Sequence, residues 1–208
     1  WAADDDSEYQ YRKNQEEPGE WTVPDCDRIT GGAPVTFTTD DGATLATYTP
    51  IHGTTYTYGL AALETGNTLL ATSMNYAGTS ILRSEDAGCS WHEIASVQAD
   101  GLLLLTAAEG DRAYGWSRGR TTFYFIDGDN VSSRTAPNRI YGLAVDPDDG
   151  RHIRIGSMDC QLYESFDGGA TFSPLGEPAY SPSTIFYTVE FDPSNWDNAL
   201  CGGIGAWR

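Results

Sequence analysis

Residues 84–91 read SEDAGCSW and residues 165–172 read SFDGGATF, and these two octapeptides decide the fold. Both place a serine, an aspartate, a glycine, a hydroxyl residue and an aromatic residue at the first, third, fifth, seventh and eighth positions. A short run of Asp and Gly between segments rich in β-branched and aromatic side chains is typical of a tight turn that joins two strands. We therefore predict a β-hairpin at each octapeptide.

Two weaker copies of the octapeptide indicate that it belongs to a repeat. Residues 38–45 read TTDDGATL, in which Leu45 replaces the final aromatic residue, and a further copy keeps little beyond Asp127 and its turn. The aspartates of the four copies are Asp40, Asp86, Asp127 and Asp167, at intervals of 46, 41 and 40 residues. Self-similarity at this period is typical of propellers and other repeat proteins.

Each repeat reads as four short strands. The sequence Tyr-Gly-Leu-Ala occurs at 58–61 and again at 141–144, at the start of two repeats. In the third repeat we predict strands at 140–146, 152–157, 161–165 and 170–174. Four-stranded antiparallel units that recur about every 40 residues are typical of a β-propeller. We therefore predict an all-β chain, with a β-propeller of four-stranded antiparallel blades over 35–208 and an acidic N-terminal arm over 1–34.

The phase of the repeat predicts how many blades there are. The chain begins with the third and fourth strands of a blade, at 35–39 and 44–47, and ends with a first and a second strand, at 186–192 and 198–204. Pairing these half-blades would close a ring and remove its exposed sheet edges. We predict four blades closed in this way, with strand 198–204 beside 35–39. The alternative is a fragment of a six- or seven-bladed propeller.

The octapeptides resemble the Asp-box, or BNR repeat, which occurs in sialidases, sortilin-type receptor domains, xyloglucan-degrading enzymes and a photosystem assembly factor. The resemblance covers roughly residues 35–208 and implies that the motif builds the hairpin between the third and fourth strands of a blade. It also implies that the ligand lies on the opposite face. The residues to which it assigns a structural role are Thr38, Asp40, Gly42, Ser84, Asp86, Gly88, Trp91, Asp127, Ser165, Asp167, Gly169 and Phe172.

The charge of the chain restricts its partners. Thirty acidic residues against 12 basic ones give a net charge of −18, and Lys13 is its single lysine. So negative a surface repels phosphate backbones and anionic lipids, which argues against nucleic-acid binding. No apolar run approaches the roughly 20 residues that span a bilayer, so we predict no membrane insertion.

Four scattered cysteines, Cys26, Cys89, Cys160 and Cys201, form no metal-binding spacing. Their even number in an acidic, lysine-poor chain favours two disulfides and an oxidising compartment, with four buried thiols as the alternative. Sequence alone leaves three pairings open, and we prefer Cys26–Cys201 if the ring closes. We therefore predict a secreted, periplasmic or cell-surface protein.

The candidate ligand-binding residues lie in the loops that join the second strand to the third and the fourth to the next blade. They are His52, Asn75, Tyr76, Trp116, Arg118, Arg120, Arg139 and Asp159. Exposed aromatic and arginine side chains are enriched in binding hot spots. The alternative for Trp116 and Tyr76 is that they pack between blades. The segment Trp116-Ser117-Arg118-Gly119-Arg120 stands out because it places two cations in an acidic protein.

These observations favour a non-catalytic module outside the cytoplasm that recognises a protein or a glycan through the loop face. The first alternative is a glycoside hydrolase of the sialidase or xyloglucanase type, and the second is an assembly factor. Sialidases carry an Arg-Ile-Pro motif, whereas the nearest match, Arg28-Ile29-Thr30, lacks the proline. We therefore predict no catalytic residue, no metal and no cofactor.

Overall fold

The computed structural model describes residues 35–37, 43, 46–48, 56–75, 78–99, 101–157, 161–175, 185–192, 195 and 197–204. Its strands are β1 (Val35–Phe37), β2 (Ala46–Tyr48), β3 (Tyr56–Ala62), β4 (Leu69–Asn75), β5 (Gly78–Ser84), β6 (His92–Val97), β7 (Leu104–Ala108), β8 (Arg112–Trp116), β9 (Arg120–Asp127), β10 (Asn130–Asp146), β11 (Asp149–Ser157), β12 (Leu162–Ser165), β13 (Ser173–Leu175), β14 (Ile185–Phe191) and β15 (Ala199–Ile204). Every strand pairing is antiparallel. The prediction of an all-β chain is confirmed.

The strands form successive four-stranded units. Strands β3 to β6 make the first unit as a separate sheet, in sequence order. Strands β7 to β13 make one seven-stranded sheet, in which the long strand β10 serves two units. Its first part, from Asn130 to Thr135, pairs with β9, and its second part, from Ile140 to Asp146, pairs with β11. The predicted strands at 140–146, 152–157 and 161–165 match the second part of β10, β11 and β12, whereas the fourth, predicted at 170–174, begins only at Ser173. In addition, β10 continues from the preceding unit.

The ends of the chain form two separate pairs in the part that the structure describes. Strand β1 pairs with β2, and β14 pairs with β15. The predicted pairing of strand 198–204 with strand 35–39 is not among the described pairs, so ring closure is not confirmed and stays a prediction. Val189 in β14 is 1% exposed and packs on the third unit.

The core lies between successive units, and the second unit is buried on both faces. Along β9, Phe123 and Phe125 face the third unit, where they join a cluster with Ile153. The alternate residues Tyr124 and Ile126 face the first unit. Because side chains alternate across a strand, burial on both faces requires a continuous apolar run, as β9 has.

The repeated Tyr-Gly-Leu-Ala sequence marks the point where one unit touches the next. A Cβ atom at Gly59 would lie 2.7 Å from the carbonyl oxygen of Leu103, and one at Gly142 would overlap the carbonyl of Val189. In both strands the register shifts beside the glycine. Glycine is thus required there because the backbone of the next unit approaches closely.

Candidate functional site

Each four-stranded unit has two ends of different character. One end holds the turns between the first and second strands and between the third and fourth; we term it the acidic end. Its described turns cover 63–68, 85–91, 109–111, 128–129, 147–148 and 166–172. The other end holds the turn between the second and third strands and the connection to the next unit; we term it the loop end. Its described segments include 101–103, 117–119 and 136–139.

At the acidic end, the first octapeptide closes on its own side chains. The Ser84 hydroxyl donates to Asp86 Oδ1 at 2.8 Å and accepts from the Gly88 amide at 2.8 Å. The Asp86 carboxylate also accepts from the Ser90 amide at 2.8 Å and from the Ser90 hydroxyl at 2.5 Å. Burial raises the pKa of Asp86, but these hydrogen bonds outweigh it and hold the pKa below its ordinary value. Trp91 Nε1 donates to the Gly88 carbonyl at 3.0 Å.

The second octapeptide repeats the same network. The Ser165 hydroxyl donates to Asp167 and accepts from the Gly169 amide, each at 2.8 Å. Asp167 accepts from the Thr171 amide at 2.8 Å and from the Thr171 hydroxyl at 2.6 Å. The side-chain hydrogen bond from Thr171, followed by its backbone amide, lowers the pKa of Asp167 to about 2. Phe172 packs against Phe123 with ring centroids 6.1 Å apart.

The turn at Asp127 keeps one bond that all three turns share. The residue after each aspartate has a positive φ and donates its amide to a backbone carbonyl in or just after the turn between the first two strands of the same unit. These bonds are Ala87 to Asn67 at 2.7 Å, Gly128 to Asp111 at 2.9 Å and Gly168 to Arg151 at 2.9 Å. Asp127 itself lies 3.5 Å from Arg112 and 3.8 Å from Arg151. The turn at Asp127 thus keeps the backbone geometry of the octapeptide turns, but its carboxylate takes part in ion pairs instead.

Arginines at the acidic end join neighbouring units through carboxylates. Arg83 of the first unit is 5% exposed, and its Nη2 lies 2.9 Å from a carboxylate oxygen of Asp111 in the second unit. Arg154 Nη1 of the third unit lies 2.6 Å from Asp197, between β14 and β15. Two backbone amides add the same kind of link, because Gly110 donates to Glu64 and Gly150 donates to Glu109. The carboxylates of Asp111, Asp197, Glu64 and Glu109 therefore join neighbouring units.

A histidine network at the acidic end was not found from the sequence. His152 places Nδ1 2.8 Å from Asp146 and Nε2 2.9 Å from Glu164, and its ring stacks on Phe166 at 4.2 Å. Burial raises the pKa of Glu164, but hydrogen bonds from His152 and Arg154 outweigh it and lower the pKa. These residues meet only through the pairing of Ile153 with Ser165, so no local motif could reveal them.

At the loop end, three exposed arginines come together. The Gly119 amide donates to the Ile140 carbonyl at 2.7 Å, and Arg120 is the strand partner of Ile140. Arg118 and Arg120 flank Gly119, whereas Arg139 precedes Ile140. All three arginines are exposed. The structure thus brings together three predicted residues from two segments about 20 positions apart in sequence.

For Trp116, exposure at the loop end is wrong, and the alternative that it packs between units is confirmed. Trp116 is 8% exposed, belongs to the cluster between the second and third units, and donates Nε1 to Thr106 at 3.0 Å. Strand β8 is buried on both faces, which the pattern of one strand does not reveal. His52, Tyr76 and Asp159 lie outside the described residues, as do Thr38, Asp40 and Gly42 and the side chain of Asn75.

The structure describes one of the four cysteine side chains. Cys89 takes part in a disulfide, which excludes the alternative of a free thiol at this position. The sulfurs of Cys26, Cys160 and Cys201 lie outside the described side chains, so the preferred Cys26–Cys201 pairing stays a prediction. No helix that could span a membrane occurs in the described part of the chain.

Comparison with known proteins adds one relative and a fold. No family model matches the chain. The chain is 44% identical over 169 residues to the "Dispase autolysis-inducing protein" of Streptomyces mobaraensis, a match that covers 80% of this chain and 44% of that protein. The chain therefore spans less than half the length of this curated relative.

Among solved structures, YCF48 bound to D1 peptide is similar with a TM-score of 0.51 and 17% identity, over 77% of this chain and 57% of that one. A GH74 enzyme of Niastella koreensis has a TM-score of 0.46 and 18% identity, over 67% and 25% of the two chains. YCF48 from Cyanidioschyzon merolae has a TM-score of 0.45 and 15% identity, over 71% and 48%. The first of these is a β-propeller, and the likeness shows that fold for this chain.

Proposed function

We propose that this chain is a non-catalytic protein-binding module that acts outside the cytoplasm and contacts its partner through the loop end of a β-propeller. The observation that carries the proposal is the group of three exposed arginines, Arg118, Arg120 and Arg139, around the bond between Gly119 and Ile140. Arginine is among the residues that dominate binding energy in protein interfaces. Trp116 supports this surface from within the core.

The names of similar proteins support a protein partner. The relative at 44% identity is named for inducing autolysis of Dispase, so its name implies an action on another protein. The YCF48 structure of similar fold holds a D1 peptide. We propose that the partner of this chain is a protease of the Dispase kind, and that the chain meets it in an extracellular compartment.

The proposal also includes the identity of the turns as Asp-boxes and the number of blades. The matching networks at Asp86 and Asp167 support the assignment of both turns as Asp-boxes. A ring of four blades, closed by the half-blades at the two ends of the chain, would place these turns on the face away from the partner. The six- or seven-bladed alternative would leave that arrangement of the faces unchanged.

The test is a comparison of variants in a Dispase autolysis assay. We expect the chain to bind Dispase and to raise its rate of autolysis, measured as loss of the intact band over time. The variant R118Q/R120Q/R139Q should lose this effect, because it removes the three loop-end charges. Arg151 is a matched control, since it is an exposed arginine at the acidic end with a side chain that is 56% exposed. R151Q should act like the wild type.

Two results would overturn the proposal. One is a chain that neither binds Dispase nor changes its autolysis. The other is a loop-end variant that keeps full effect while R151Q loses it, because that would place the contact at the acidic end. Thermal unfolding of each variant, followed by circular dichroism, separates loss of binding from loss of the fold.

A further inference from the structure

We propose that Cys89 forms its disulfide with Cys26, so that the acidic N-terminal arm is covalently attached to the acidic end of the first unit. The chain has four cysteines, and Cys89 takes part in a disulfide. Its partner within the chain is therefore Cys26, Cys160 or Cys201. The fold of the described units excludes the last two, and the pairing with Cys26 replaces the Cys26–Cys201 pairing preferred from the sequence.

Cys89 lies at the acidic end of the first unit, in the turn between its third and fourth strands. Its amide donates to the Asp86 carbonyl at 3.3 Å, and the amide of Ala87 donates to the Asn67 carbonyl at 2.7 Å. These bonds fix the turn against its neighbour at the same end. A disulfide requires that the two Cα atoms lie within about 7 Å of each other and that the two Cβ atoms face each other. The partner of Cys89 must therefore reach this turn.

Cys160 is excluded by distance. It directly precedes Gln161 in the sequence, so the two Cα atoms are about 3.8 Å apart. The Gln161 carbonyl accepts from the Ser157 amide at 3.0 Å and from the Ser157 hydroxyl at 2.9 Å, at the loop end of the third unit. The second unit packs between the first and the third, and packed sheets are about 10 Å apart. Cys160 and Cys89 are therefore separated by roughly 20 Å or more, which no disulfide spans.

Cys201 is excluded by the direction in which its position faces. In the ladder of β14 and β15, Cys201 is the partner of Val189. Val189 packs on the third unit, because a Cβ atom at Gly156 would overlap its side chain. Residues directly opposite each other in a ladder project to the same face of the sheet. Position 201 is therefore turned towards the third unit and away from the first, whether or not the ring of blades closes, so it does not face Cys89.

Cys26 meets neither restriction. It stands nine residues before Val35, the first residue of β1. A segment of that length spans up to about 30 Å, so the arm can reach a turn well away from β1. Cys26 is therefore the cysteine that remains for Cys89.

The pairing gives the arm a fixed point of attachment at the acidic end. Residues 1–27 contain nine of the 30 acidic residues of the chain. The bond joins this segment to a turn whose own carboxylate, Asp86, is already occupied by Ser84 and Ser90. A dithiol reductant, which supplies two electrons and two protons and is itself oxidised to a disulfide, converts the bond to two thiols. The attachment of the arm therefore depends on the redox state of the compartment.

Tryptic digestion without reductant, followed by mass spectrometry, separates the three pairings. Cleavage after Lys and Arg releases Cys26 in peptide 14–28, Cys89 in peptide 84–112 and the other two cysteines together in peptide 155–208. The chain is denatured in iodoacetamide before digestion, so that any free thiol is blocked and cannot exchange. We expect peptide 14–28 joined to peptide 84–112. Dithiothreitol should then split this species into its two parts.

Two variants provide the controls. Cys26→Ser should leave Cys89 as a thiol that iodoacetamide alkylates, and should lower the thermal midpoint by about 5–10 °C, because the closed loop is lost from the unfolded chain. Cys160→Ser should leave the joined species unchanged. The inference is overturned if peptide 84–112 of the wild type is joined to peptide 155–208 or is recovered alkylated. It is also overturned if Cys89 stays protected from alkylation in Cys26→Ser. The wild-type digest decides the pairing even where a variant does not fold.

Discussion

The two ends of strand β9 differ in how they use charge. At Asp127 the strand ends among turns whose carboxylates accept turn amides, hold arginines and join neighbouring units. At Arg120 it begins beside two further exposed arginines on a surface supplied by segments without acidic residues. Part of the excess negative charge of the chain therefore stabilises the fold, through carboxylates that accept hydrogen bonds and pair with arginines. The exposed arginines of the loop end are the residues that we propose for recognition.

We expect the largest effect on stability from substitution of a buried arginine at the acidic end. Arg83→Met should lower the free energy of unfolding by about 2 kcal/mol, because it removes the charged hydrogen bond from a buried arginine to Asp111 at the contact between units. Arg120→Met, at the other end, should change it by less than about 0.5 kcal/mol, as is usual for an exposed residue. Urea unfolding followed by circular dichroism measures both, and equal losses in the two variants would contradict the division between the ends.

A smaller effect is expected at the aspartates of the octapeptides. Asp86→Ala and Asp167→Ala should each cost about 1–2 kcal/mol, because each removes a carboxylate that accepts turn hydrogen bonds. Asp127→Ala should cost about 0.5 kcal/mol, since its ion pairs are longer and exposed. Chemical unfolding of the three variants side by side provides the ranking. A larger loss of stability at Asp127 than at the other two would show that the turn at Asp127 is not degenerate.

The pH dependence of stability tests how much the Asp167 carboxylate stabilises the fold. Its pKa of about 2 lies below the unfolded value of ~3.9, so the carboxylate stabilises the fold fully above that unfolded value. This stabilisation is lost as the pH falls towards 2, because protonation removes the acceptor. The thermal midpoint of the wild type should therefore fall more steeply than that of Asp167→Asn between pH 5 and pH 2. Parallel curves would show that Asp167 does not contribute.

The fold could be predicted further than the site, and the reasons are physical. A turn is encoded by neighbouring residues, so SFDGGATF and the turn at Asp127 were found by inspection. The continuity of β10 was not predicted, because Pro137 falls where an isolated strand would be expected to end. The burial of Trp116 depends on sheets packing against both faces of β8, which its own residues do not encode.

Prediction of the site was limited in the same way, because its contacts join segments that are distant in sequence. Arg118 and Arg120 form a local cluster in the sequence, but the position of Arg139 next to their segment depends on the bond between Gly119 and Ile140. The stack of His152 on Phe166 depends on the register of β11 with β12. Phe166 occupies the variable second position of its octapeptide, where the first octapeptide has Glu85, so the motif gave no signal there.

The smallest expected effect compares the residues that follow the two aspartates. Ala87 has a φ of 57°, and it is the one non-glycine residue with positive φ among those described. Gly168 occupies the equivalent position with a φ of 70°. Gly168→Ala should cost about 1 kcal/mol, because alanine is strained in this conformation. Ala87→Gly should change stability by no more than about 0.5 kcal/mol, since relief of strain is offset by the freer unfolded chain.

Thermal unfolding of Gly168→Ala and Ala87→Gly tests this pair. A clear loss in Ala87→Gly, or none in Gly168→Ala, would contradict the equivalence of the two turns.

The central claim is that recognition and structural support lie at opposite ends of the same units. Hydrogen–deuterium exchange of the chain, with and without saturating, inactivated Dispase, tests it most directly because it reports both ends at once. The account predicts slower exchange at 117–120 and 136–141 and unchanged exchange at 84–91 and 165–172. Protection of the octapeptide turns, with no change at 117–120 and 136–141, would contradict it.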